Sequence, residues 1–121
     1  MTGVVFSGSA VDTARLNAER LGVGNAQFVR GDAGKTARAM AKEGQKFDAV
    51  IMDPPRGGAA GFAKALAFLA VEKVVYVSCY PPTLARDSAE MEREGFRLAV
   101  VEPLDMFPQT AHVESVALFV R

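Results

Sequence analysis

Short β-type apolar runs and helical stretches take turns along this sequence four times before two further runs close it. Gly3–Phe6, Asn25–Val29 and Phe47–Met52 read as strands, and Lys73–Ser78 as a β-branched run of the kind that parallel sheets use. The stripe Ala10, Val11, Ala14, Ala18, Leu21 predicts a helix ended by Gly22. Alanine-rich Lys35–Glu43 predicts a second, ended by Gly44, and Phe62–Leu69 a third. Pro82–Glu94 makes a fourth, with proline in its first turn and Gly95 past its end. Asp53-Pro54-Pro55 stops the third run, because proline cannot continue a strand ladder. Phe96–Val101 and Val113–Val120 are joined by a loop without a helix, so the last strand is expected to run antiparallel. This alternation specifies an α/β sheet with right-handed crossovers.

No linker, repeat or low-complexity stretch divides the 121 residues, so residues 1–121 read as one domain. Half of the residues are hydrophobic and 23% charged, an ordinary globular balance that excludes a disordered tail or a coiled coil. Fourteen basic and fourteen acidic side chains leave no net charge. A free-standing nucleic-acid binder draws its affinity from a basic excess, so any such function here needs a local cluster or another segment. The single cysteine excludes an internal disulfide framework and a cysteine-rich zinc site, and no metal is expected. No apolar run approaches the ~18–20 residues of a membrane span, and the first residues lack a secretory signal, which predicts a cytoplasmic protein without a membrane partner.

In open α/β sheets, ligands sit outside the carboxyl ends of the strands. Asp53 lies just past the third run and Ser78-Cys79 just past the fourth. Neighbouring strands are ~4.8 Å apart, close enough for these side chains to share one site. An antiparallel last strand would begin at the same rim and bring His112 and Glu114 towards Cys79, with Arg56 beside them. Each residue alone also has a plain structural reading. Cys79 suits a small core position, Asp53 a turn cap, Glu114 a rim charge, His112 a surface histidine and Arg56 an ion-pair partner. Spacing alone does not name a reaction.

Three segments carry a family likeness. Asp53-Pro54-Pro55-Arg56-Gly57-Gly58, Tyr76-Val77-Ser78-Cys79-Tyr80-Pro81-Pro82-Thr83-Leu84-Ala85-Arg86-Asp87 and Pro103-Leu104-Asp105-Met106-Phe107-Pro108-Gln109-Thr110-Ala111-His112-Val113-Glu114 closely resemble the RNA uracil-5-methyltransferases. The likeness runs in order from Gly3 to the C-terminus, and the 23S rRNA branch is the better match. The resemblance implies a class I methyltransferase (Rossmann-like) sheet that uses S-adenosylmethionine to make 5-methyluridine in RNA. It implies Cys79 as nucleophile, Glu114 as general base, and Asp32 and Asp53 in the cofactor and base pocket. Arg56, at the fourth place of the Asp-Pro-Pro motif, is expected to steady the RNA or an enolate. Methyltransferases acting on exocyclic amines place an aromatic residue there, so amine methylation fits less well. Tyr80 stands where the family usually has asparagine.

The resemblance also implies parts that these residues do not supply. No first strand with its glycine-rich loop precedes Gly3, and Gly8 and Gly22 lack the spacing to replace it. Val5 matches the position of the acid that binds the cofactor's ribose, and valine cannot accept those hydrogen bonds. Without a central first strand, Gly3–Phe6 and Phe47–Met52 must pair directly, borrow a strand, or stay partly open. Two readings follow: part of a uracil-5-methyltransferase that works with a missing N-terminal half or a homodimer partner, or an inactive remnant serving as an RNA-associated or dimerising module. For the chain by itself, weak cofactor binding is expected.

Overall fold

A computed structural model of the chain describes residues 1–69 and 71–121. The strands are β1 (Thr2–Val5), β2 (Gln27–Arg30), β3 (Ala49–Met52), β4 (Lys73–Ser78), β5 (Arg97–Leu104) and β6 (Glu114–Val120). The helices are α1 (Gly8–Arg20), α2 (Ala33–Lys42), α3 (Ala63–Phe68) and α4 (Pro81–Arg93). Each lies where periodicity predicts it, with shifted ends. The largest shift is in β5, which runs on through Glu102 and Pro103 to Leu104. Pro103 is tolerated because β5 is an edge strand with β6 as its sole neighbour.

Met1–Ala39 and Met40–Arg121 form two compact units. In the first, β1 and β2 pair in parallel from Thr2 opposite Gln27 to Val5 opposite Arg30. Helix α1 packs on both strands, burying Val11 to 2% exposure. Ser7 caps this helix by accepting the Ala10 N–H.

In the second unit the strand order is β3-β4-β6-β5. β3 and β4 are parallel, and β6 runs antiparallel to both β4 and β5, as the helix-free connection requires. Burial alternates along β4 and β6, so Val74, Tyr76, Ala117 and Phe119 are sealed on one face. Leu66 and Val71 are sealed with them, and α4 adds Leu84 and Met91 to the core. Each such side chain contributes roughly 1.5–3 kcal/mol on burial. Among the described residues no helix is long and apolar enough to cross a membrane.

β1 and β3 share no ladder; the chain holds a two-stranded and a four-stranded sheet. Direct pairing of β1 with β3, one of the three expected outcomes, does not occur.

Candidate active site

Strand register builds the rim of the second unit. Ser78, the last residue of β4, stands opposite Ser115 of β6. Cys79, the residue after β4, and Glu114, the first residue of β6, each adjoin this last pair of the ladder. Both Cys79 and Glu114 are half-buried, and the thiol is free of any disulfide.

Local chemistry holds the cysteine on a turn. The buried Ser78 hydroxyl donates to the Tyr80 carbonyl and accepts the Tyr80 N–H, both at 3.2 Å, which bends the chain around Cys79. The Tyr80 carbonyl also accepts the Thr83 hydroxyl at 2.9 Å, so the turn runs straight into α4. Pro81 and Pro82 occupy the first helical positions, where a missing N–H costs nothing.

Met52 pairs with Tyr76, which puts Asp53, the next residue, at the carboxyl end of β3 on the same rim. Its carboxylate is exposed. Arg56 is exposed too, and its guanidinium lies 4.8 Å from the centroid of the Tyr80 ring, a cation–π contact beside the cysteine turn. His112 sits exposed in the loop before β6 and packs edge-on against Phe107 at 6.3 Å. That loop is tied by the Thr110 hydroxyl, which donates to the Phe107 carbonyl and accepts the His112 N–H.

Asp32 belongs to the first unit. Its side chain accepts the Lys35 N–H at 2.8 Å, and its carbonyl accepts the Thr36 N–H. It therefore caps α2, a local task the sequence reading did not assign to it.

Sequence reasoning also passed over a polar face on α4. Thr83, Arg86, Asp87 and Glu90 recur at helical spacing and hold the backbone of the loop after β3. Asp87 is 3% exposed. Its carboxylate accepts the Tyr76 hydroxyl and the Ala59 N–H, each at 2.6 Å, and pairs with the Arg86 guanidinium at 2.7 Å. Burial, and then the bond to Asp87, push the Tyr76 hydroxyl above the usual tyrosine range, so it remains a donor. The signal was present in the sequence. Leu84, Asp87 and Met91 share the spacing of a core stripe, and a carboxylate there needs buried partners.

A family model described as tRNA (uracil-5-)-methyltransferase matches residues 4–121. The chain is 47% identical over 119 residues to the 23S rRNA (uracil(1939)-C(5))-methyltransferase RlmD of Pseudomonas aeruginosa, covering 98% of this chain and 26% of that protein. The protein of the same name from Stenotrophomonas maltophilia is 44% identical over 120 residues, with 98% and 27% covered. The chain thus spans about a quarter of the length of these curated relatives. Among solved structures, the Pyrococcus abyssi tRNA (uracil-54, C5)-methyltransferase in complex with S-adenosyl-L-homocysteine superposes with a TM-score of 0.80 at 37% identity, over 99% of this chain and 28% of that one. A SAM-dependent methyltransferase from Agrobacterium tumefaciens shares the fold at a TM-score of 0.70 and 14% identity, over 98% of this chain and 48% of that one. Motif, strand order and relatives agree: the chain belongs to the tRNA (uracil-5-)-methyltransferase family.

Proposed function

We propose that residues 1–121 are part of the catalytic domain of an RNA uracil-5-methyltransferase that uses S-adenosylmethionine and works on ribosomal RNA in the cytoplasm. The observation that supports this reading is the last β4–β6 pair, Ser78 with Ser115, whose chain neighbours Cys79 and Glu114 both lie at the rim. The relatives' names support the substrate class.

Carbon 5 of uracil is a poor nucleophile. Addition of the Cys79 thiolate to carbon 6 forms a carbon–sulfur bond and pushes the ring electrons into an enolate with density at carbon 5. The bound cofactor supplies an electrophilic methyl group, which carbon 5 takes up. Glu114 then removes the remaining carbon 5 proton, the double bond re-forms, and the carbon–sulfur bond breaks to release the thiolate. Reaching the ring in structured RNA requires the uridine to leave its stack, at a cost of a few kcal/mol. Arg56, exposed over Tyr80, is suited to an RNA phosphate or the enolate oxygen.

The residues also suit the cofactor in part. The exposed Asp53 carboxylate at the end of β3 can accept hydrogen bonds from its amino groups, and in the first unit the exposed Asp32 carboxylate is proposed, by itself, to contact the cofactor. Val5, the last residue of β1, offers no acceptor to its ribose hydroxyls.

The test is trapping with RNA carrying 5-fluorouridine at the target position. Fluorine replaces the proton that the base must remove, so the adduct accumulates. In the full-length protein, mass spectrometry is expected to find an RNA–protein adduct that Cys79→Ala abolishes. Survival of the adduct in that variant removes Cys79 from the mechanism.

A further inference from the structure

We propose that the polar face of α4 is a clamp that positions Arg56 for the reaction, with Asp87 as its central positioning residue; this rests on the uracil-methyltransferase reading. Four α4 side chains bond the backbone of the loop that follows Asp53. The Thr83 hydroxyl donates to the Arg56 carbonyl at 3.2 Å, and the Arg86 guanidinium to the Gly57 carbonyl at 2.8 Å. Asp87 accepts the Ala59 N–H at 2.6 Å, and Glu90 accepts the Gly61 N–H at 2.7 Å.

The loop has little else to hold it. It has no regular secondary structure between β3 and α3, and Arg56 and Gly57 are exposed. Exposed segments of this kind open readily unless side chains tie them down. The clamp ties this one to the helix that the Cys79-Tyr80 turn leads into, with Tyr80 as its N-cap. The Arg56 side chain then rests on the Tyr80 ring. Nucleophile turn and Arg56 thus belong to one rigid body, although they lie on different connections. Asp87 is the member that also reaches the sheet, through the Tyr76 hydroxyl of β4. A misplacement of about 1 Å at a reacting group can cost on the order of a hundredfold in rate, so a clamp on the backbone of Arg56 has catalytic consequence without touching substrate.

The close fit of the loop supplies a second way to disturb it. Gly58 has φ +77°, and a Cβ there would meet Asp87 Oδ2 at 2.5 Å and the Arg86 guanidinium at 2.6 Å. Gly58→Ala therefore forces the loop and the Asp87 and Arg86 side chains apart without changing any α4 residue.

The experiment is a double-mutant cycle in the full-length protein, reading kcat and KM for RNA and for S-adenosylmethionine well below the melting temperature of each variant. Arg56→Ala is expected to lower kcat/KM for RNA about tenfold, and Asp87→Asn by a similar factor, with KM for the cofactor moving less than twofold. The double variant is expected to lose about tenfold rather than a hundredfold, because both changes remove the same placed guanidinium. If Asp87→Asn does not fold, Gly58→Ala takes its place in the cycle with the same expectation. Additive losses, or unchanged kinetics in a merely less stable variant, overturn the clamp. Loss of the Cys79-dependent adduct from the unaltered protein overturns the methyltransferase reading itself, which is a separate and visible result.

Discussion

At Glu114 the amide of glutamine keeps size and shape while removing the base. Glu114→Gln is expected to permit addition and methyl transfer but to stall release, lowering turnover by about 10²–10⁴-fold. The covalent RNA complex should then accumulate on ordinary uridine, visible by denaturing electrophoresis; normal turnover would remove Glu114 from the base role. Asp32 poses a different question, because its carboxylate already caps α2. Asparagine caps as well as aspartate, so Asp32→Asn should leave the melting temperature unchanged, whereas Asp32→Ala should cost about 1 kcal/mol. A fall in cofactor affinity for the asparagine variant, measured by calorimetry, would separate a binding role from the capping one. The residue types at this rim were readable from the sequence, since a thiol, carboxylates and an arginine sit just past or just before apolar runs. The capping by Asp32 and the partners of Asp87 were not, because both depend on which groups the fold brings to a side chain.

Among the elements, α4 unites helix signals that are local with a face whose use is not. Pro81 and Pro82 start it and Gly95 ends it, with φ +88° and the Phe96 N–H returning to the Met91 carbonyl at 3.0 Å. A Cβ at Gly95 would meet Arg121 Nε at 3.7 Å, an ordinary contact, so the cost of Gly95→Ala is conformational. It is expected to destabilise by about 1–2 kcal/mol, measured as a lowered midpoint in thermal unfolding. Boundaries were least legible where tertiary position overrides propensity. The strand expected over Phe96–Val101 runs on through Pro103 to Leu104 in β5, because its proline sits on an edge.

For the molecule as a whole, the second unit carries most of the sealed core, and Tyr76 and Phe119 are its largest fully buried side chains. Phe119→Ala, at a position of 0% exposure, is expected to cost about 3–5 kcal/mol, a large share of a total near 5–15 kcal/mol. Urea unfolding followed by far-ultraviolet circular dichroism would show it, and a loss under 1 kcal/mol would contradict the packing described. What the residues by themselves determined is the kind and order of the elements, because apolar period, proline and glycine act over a few neighbours. They also determined the antiparallel sense of β6, because a short loop without a helix allows no other return. Which strands become neighbours was decided only in three dimensions. Burying the alternate face of β6 selects one register, and that register sets Ser115 opposite Ser78 from far along the chain. The same long-range packing brings Asp87 under the loop of Arg56, and no local pattern encodes a meeting of that kind.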